Sequence, residues 1–376
     1  MKFSFLLLAA LFILHLNAQS AKDDADALYA TGNYTKAIES YKSLDEIETV
    51  YDKIAKAYIA IGNYGEAAPY YEKAIEAHPE DALLKYDYAK LLSKTKHYKE
   101  ANTLFKNLIE SDSLNPNYHY ELGIVLEKQN DSTALTEYLK TFDLDLTHQK
   151  AIFKIAKHNI IKRNFELAHR LVDKGLESYT DNVELISLKA QAYYYQEYYT
   201  HAVVWFNKLI DLGETSEFIH EKLSLSYAQN FDYDNAIYHR KQALKFNPSD
   251  ANAIYVIGTY YQSLSDYEKA EEYIEQALKL MDRSLSDEYQ RLGTIYNRQK
   301  NYEKAIKAFQ KSLKEDPSNI MSEFFIIRTK DEFYADLDTK INMYETYIEN
   351  NDKSPFISFA EGRLKELKQE KFLQND

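Results

Sequence analysis

The sequence predicts an all-α protein, a solenoid of tandem helix–turn–helix units, and three observations carry that reading. A pattern of two helix-length apolar stripes separated by a short polar turn recurs with a period close to thirty-four residues along most of the chain. Alanine returns at one fixed place in nine of the units. Three places before that alanine stands an aromatic residue, in all but one of those nine units.

The stretch Ser286 to Asn319 shows the pattern most plainly. Tyr289, Leu292, Gly293 and Tyr296 fall at spacings of three or four and line one helix face. Asn301 is placed to cap a second helix, whose stripe is Tyr302, Ala305, Phe309 and Ser312, and Pro317 keeps that helix from continuing. Further units start at Glu48, Ala82, Pro116, Gln149, Val183, Glu217, Ala251 and Ile320, each within one residue of the thirty-four-residue spacing. The alanine recurs as Ala37, Ala67, Ala101, Ala134, Ala168, Ala202, Ala236, Ala270 and Ala305. A bulkier side chain there would push the two helices apart. The aromatic recurs as Tyr34, Tyr64, Tyr98, Phe165, Tyr199, Tyr233, Tyr267 and Tyr302.

Taken in order, the chain opens with Met1 and Lys2, an apolar run from Phe3 to Leu16, and then Asn17, Ala18, Gln19 and Ser20. A positive charge, a short apolar core and a small residue at the exit read as a signal peptide over 1–18, cut after Ala18, with an uncleaved membrane anchor as the alternative. Repeats then occupy 22–353, about ten in number. The first is partial, marked by Leu28, Gly32, Asn33, Tyr34, Ala37 and Tyr41, and a shortened link follows at Ser43 to Ile47. The fourth is irregular: its turn, Gln129 to Thr133, lacks the aromatic and is one residue short. The tenth, from Ile320, is degenerate, with Lys340 where alanine is expected, which leaves the packing of its helices open. Pro355 and a polar helix from about Ile357 to Phe372 form a closing cap and tail over 354–376.

This combination of large residue, Leu, Gly and Tyr in the first helix, Ala and Phe in the second and a closing Pro resembles the tetratricopeptide repeat, over roughly residues 22 to 350. The resemblance implies a right-handed superhelical solenoid with terminal capping helices, whose first helices line a concave groove. In that family the second, fifth, sixth, ninth, twelfth and thirteenth places of each unit face the groove. Between Glu48 and Asn182 these places hold eight lysines and four acids. Lys53, Lys56, Tyr86, Lys90, Lys94, Tyr120, Phe153, Lys154 and Lys157 are therefore the candidate partner-binding residues, lysines for carboxylates and rings for apolar parts. Tyr194 and Tyr195, in a tyrosine-dense block, extend the candidate surface, while Tyr193 and Tyr199 take core places. In the later units the same places hold balanced charge: Glu184, Glu221, Lys222, Asp287, Arg291 and Arg298.

Chemistry-bearing motifs do not assemble. There is no cysteine, the ten histidines are scattered and expected at the surface or in the groove, and the nine glycines are mostly single rather than forming a phosphate-binding loop. No catalytic site, cofactor or metal is expected. A net charge of −13 argues against nucleic acid as a partner. The reading is a non-catalytic scaffold or adaptor binding an extended or acidic protein segment; the alternative is a peptide- or glycan-binding module regulating a separate enzyme. The leader and the Lys-, Asn-, Ile- and Tyr-rich body resemble exported proteins of Gram-negative, Bacteroidetes-like bacteria, which implies the periplasm or outer-membrane periphery.

Overall fold

The computed structural model describes residues 21–281, 284–334 and 336–375, so the leader expected over 1–18 lies outside the described residues. Among the described residues every regular element is helical. The chain divides into two compact units, Met1–Leu188 and Lys189–Asp376.

The first unit contains five helix pairs: α1 (21–30) with α2 (Tyr34–Lys42), α3 (Tyr51–Ala60) with α4 (Tyr64–Ala77), α5 (Ala82–Lys94) with α6 (Tyr98–Ser111), α7 (Pro116–Lys128) with α8 (Ala134–Leu144), and α9 (Gln149–Ile161) with α10 (Phe165–Ser178). The unit boundary falls inside α11 (Val183–Tyr195), which is followed by α12 (Tyr199–Asp211). The second unit continues with α13 (Glu217–Gln229) and α14 (Tyr233–Leu244), α15 (Ala251–Ser263) and α16 (Tyr267–Leu280), α17 (Ser286–Arg298) and α18 (Tyr302–Glu315), α19 (Ile320–Phe333) and α20 (Leu337–Asn350), and α21 (Ile357–Asn375).

Eight of the nine unit starts read from the sequence are the first residues of helices. The exception is Glu48, which lies in a 3-10 turn, Ile47–Val50. Val50 is wholly buried with φ −134°, outside the helical region, so α3 cannot begin until Tyr51. Its side chain enters the core of Ala37, Tyr41 and Ile54.

The helix starts are chemically determined. Asn63, Asp232, Asp266 and Asn301 cap second helices, each side chain accepting the backbone N–H three residues on. Asp81 and Asp250 cap first helices in the same manner. Between the helices of each of the first nine pairs the chain reverses through one left-handed residue: Gly32, Gly62, Lys96, Asn130, Arg163, Glu197, Phe231, Ser265 or Lys300, with φ between 57° and 79°.

The recurring alanine is buried in all nine pairs that carry it. The helices approach closely where a first-helix glycine meets the second helix: a Cβ on Gly293 would lie 2.6 Å from the Phe309 ring, and one on Gly258 2.6 Å from Ile274. The tenth pair replaces the small residue by a charge pair. Lys340 lies 3.3 Å from Asp331 on α19, which also accepts from the Tyr344 hydroxyl and from Arg363 on α21. Helix α21 then buries Ala360 and Leu367 against Phe324, Tyr344 and Tyr347.

Candidate functional site: a lysine and aromatic strip on the first helices of residues 21–188

The predicted groove residues of the first unit lie on α3, α5, α7 and α9 and are joined across the helices by side-chain contacts. Lys53 on α3 reaches Asp26 on α1 at 2.5 Å, and the Tyr41 hydroxyl donates to the same carboxylate. Burial opposes the charge on Asp26, but the Lys53 ammonium and the Tyr41 hydroxyl outweigh it and hold the group below the usual carboxylate range. Lys56 sits between Asp52 on its own helix, at 3.3 Å, and Asp87 on α5, at 3.7 Å.

From α5 to α9 the contacts continue. Tyr86 packs against Phe105 and Tyr118, within the field of Glu121 on α7. Burial first, then the Glu121 charge, pushes the Tyr86 hydroxyl up to about 12. Burial also raises Glu121 itself, opposed by the positive charges of Lys90 on α5 and Lys150 on α9. Lys154 on α9 binds Glu127 on α7 at 2.7 Å, and the Tyr138 hydroxyl donates to that same oxygen at 2.5 Å. Tyr120 is half-buried, its ring 5.0 Å from His148 and 5.8 Å from Tyr138, and burial raises its hydroxyl to about 12.

The lysines thus divide into two sets. Lys53, Lys56 and Lys154 form ion pairs with acids of the chain itself. Lys90, Lys94 and Lys157 form none among the described residues, and each ammonium stands over a ring instead: Tyr86 at 5.1 Å, Tyr64 at 4.5 Å and Phe153 at 5.8 Å. All three are exposed. Phe153 is half-buried beside Lys154.

In the second unit Tyr194 is half-buried and Tyr195 exposed, with rings 5.5 Å apart. The Lys222 ammonium lies 4.5 Å from the Tyr194 ring and 5.4 Å from that of Phe218. Arg291 donates to Gln262 at 3.1 Å and stands over Tyr255 in a polar depression of about 360 Å³. Glu217, Glu221 and Asp250 are the side chains that could approach a cation, each offering an oxygen within 4.8 Å of the others, although Arg240 already engages Glu221 at 2.8 Å.

Two features were not foreseen. His119, His220 and His239 are buried rather than at the surface, because each finds a polar partner inside: Glu137 for His119 at 2.7 Å, and each other for His220 and His239, with Nδ1 atoms 3.0 Å apart. A cleft of about 430 Å³ opens beside α8 and α9, lined by Leu135, Tyr138, Lys154, Lys157, His158 and Ile161 among others. The sequence signal for it is the aromatic missing at Asp131.

Protein-family models described as tetratricopeptide repeat match residues 58–121, 251–280 and 286–319. Among curated proteins, the human (Homo sapiens) Superkiller complex protein 3 is 24% identical over 287 residues, covering 69% of this chain and 18% of that protein. The TPR repeat-containing protein YpiA of Bacillus subtilis (strain 168) is 23% identical over 220 residues, 55% of this chain and 51% of its own length. The chain therefore spans about a fifth and about half of these two relatives. Among solved structures, YrrB, described as a TPR protein with an unusual peptide-binding site, is 18% identical with a TM-score of 0.45, over 50% of this chain and 96% of that one. The three family matches fall on helix pairs of this architecture, so the chain carries tetratricopeptide repeats at those residues.

Proposed function

We propose that the protein is a non-catalytic interaction scaffold, in which the first-helix strip of residues 21–188 receives an extended, acidic segment of a partner protein. Proteins of tetratricopeptide repeats are in general protein-interaction scaffolds. The observation that carries the proposal here is the division of the lysines. Lys90, Lys94 and Lys157 stay exposed over aromatic rings without an ion pair among the described residues, whereas Lys56 on α3 and Lys154 on α9 are already paired. Each exposed pair with a partner carboxylate contributes up to about 1 kcal/mol, so affinity comes from several acting together with ring contacts.

The leader pattern at 1–18 supports export to the cell envelope, and among the described residues no helix is long and apolar enough to cross a membrane. The test is cross-linking and affinity recovery from the native cell, comparing wild type with the Lys90→Glu, Lys94→Glu, Lys157→Glu triple variant. Loss of an acidic partner in the variant alone supports the strip; identical partners for both proteins sink it. A second reading, a glycan- or peptide-binding module that regulates a separate enzyme, is favoured by the cation and ring cluster of Tyr194, Phe218 and Lys222. Thermal stabilisation by an oligosaccharide, lost in Tyr194→Ala, would support that reading instead.

A further inference from the structure

The fourth helix pair departs from its neighbours at one place, and the departure leaves a hole. In eight other pairs the residue three before the alanine is a half-buried aromatic. Two of these rings meet the first helix of the following pair: Tyr64 lies under the Lys94 ammonium at 4.5 Å, and the Tyr233 ring is 6.0 Å from Tyr260. In the fourth pair that residue is Asp131, exposed and turned back on its own loop, where it accepts from the backbone N–H and hydroxyl of Thr133. Helix α8 consequently begins at Ala134 itself, without the preceding turn that the other second helices have. Ile161 holds the same place in α9 that Lys94 holds in α5, and nothing covers it: it is 69% exposed.

The cleft of about 430 Å³ lies at this position, with Leu135, Tyr138 and Ile161 as apolar walls, a size that accepts one aromatic side chain with the backbone flanking it. Two acids border it and both are engaged, Glu127 by Lys154 and Tyr138, and Asp131 by Thr133. Lys157 lines it without an ion pair among the described residues, and His158 stands beside it.

Resting on the scaffold reading above, we propose that this cleft is the anchor socket for the partner segment. An aromatic side chain of the partner takes the place of the aromatic that the fourth repeat lacks, and a carboxylate next to it in the partner's sequence pairs with Lys157. An aromatic fits better than an aliphatic side chain because the Lys154 and Lys157 ammonium groups already stand over rings here, at 5.8 Å from Tyr138 and 5.8 Å from Phe153.

The test pans a displayed library of random heptapeptides on the purified protein, then measures the enriched peptide, fluorescein-labelled, by anisotropy. The inference expects enrichment of Phe, Tyr or Trp beside Asp or Glu. It expects binding at least tenfold weaker with Asp131→Tyr, which fills the socket from within, and with Ile161→Glu, which charges its wall at an exposed position that leaves the fold intact. Lys157→Glu is expected to weaken binding comparably. No enrichment, enrichment without an aromatic residue, or wild-type affinity in Asp131→Tyr and Ile161→Glu would each overturn the socket. If the socket variants bind normally while Lys90→Glu with Lys94→Glu does not, the socket falls and the strip stands. If none of them changes binding, both fall.

Discussion

Acidification between pH 6.5 and 4 is expected to destabilise the α13–α14 pair through His220 and His239. The two Nδ1 atoms are 3.0 Å apart, so one ring donates and the other accepts, and the two facing Nδ1 atoms cannot both carry a proton. The His220 Nε2 is satisfied by the Thr215 hydroxyl at 3.0 Å, and Tyr227 stacks on His239 at 5.4 Å with the rings 9° from parallel. Burial, and then the neighbouring His220, push His239 down to about 4; burial, and then the Lys245 charge, lower His220. A base whose folded-state proton affinity is depressed is protonated first in the unfolded chain. Its stabilisation is therefore complete above the ordinary value of 6.5 and disappears as pH falls to the folded value near 4. At about 1.4 kcal/mol for each tenfold change in proton affinity, His239 alone accounts for up to about 3 kcal/mol. That is a sizeable part of the 5–15 kcal/mol typical of folded proteins.

The assay is the urea midpoint, followed by circular dichroism from pH 7 to 4.5, for wild type and for the His220→Gln, His239→Gln double variant. The variant is expected to lose most of the slope. His148, lowered by burial, contributes in the same sense and remains in the variant, while Glu121, raised by burial, acts in the opposite sense. Asp26, Glu127 and Asp331 are held down by their partners and lose their contribution only at lower pH. Equal slopes for the two proteins would refute the argument.

Three further outcomes follow from local geometry. Phe231 is 79% exposed and adopts φ 61°, so Phe231→Gly relieves left-handed strain with little lost contact and should raise the urea midpoint by about 0.5–1 kcal/mol equivalent. Gly258→Ala places a Cβ 2.6 Å from the buried Ile274 side chain and 3.3 Å from the Ala270 carbonyl oxygen, so α15 and α16 must separate, at a cost of about 1–3 kcal/mol in the same assay. Asp331→Asn leaves the largely buried Lys340 without its carboxylate and frees Arg363; a loss of about 2–4 kcal/mol and faster proteolytic release of residues 357–375 are expected, and unchanged protease resistance would count against it.

What the sequence makes legible here is whatever repeats. The alanines and aromatics recur at fixed spacing because every pair solves the same packing problem, and the pattern located helix starts to the residue from Ala82 to Ile320. Glu48 failed because a single buried side chain, Val50, overrides the period where the link is short. The candidate lysines could be named one by one, but not sorted. Lys53 meets Asp26 and Lys154 meets Glu127 across twenty-seven residues, and neither pairing leaves a mark within a helix. The histidine pair was hidden for the same reason: His220 and His239 are nineteen residues apart, and isolated polar letters in amphipathic helices read as surface until a partner is found inside.

Departures from the repeat are of two physical kinds, and the distinction locates function better than charge counting does. At Lys340 the expected small residue is replaced by a long cation, yet the structure compensates in full: Asp331 receives it, Tyr344 and Arg363 complete the carboxylate's hydrogen bonds, and α21 closes over the same helix. That substitution is explained by folding alone. At Asp131 the lost aromatic is replaced by nothing. The loop satisfies its own polar groups, α8 starts late, and Ile161 is left in water beside an apolar-walled cleft. Ile161 is a large aliphatic side chain at a place where other units keep Lys94, Lys128, Gln229 and Ser263 in water, and no contact within the chain gives it the burial an aliphatic side chain favours. A partner side chain in the cleft would restore it, which is why the irregular fourth pair, rather than any of the regular ones, is where recognition is placed.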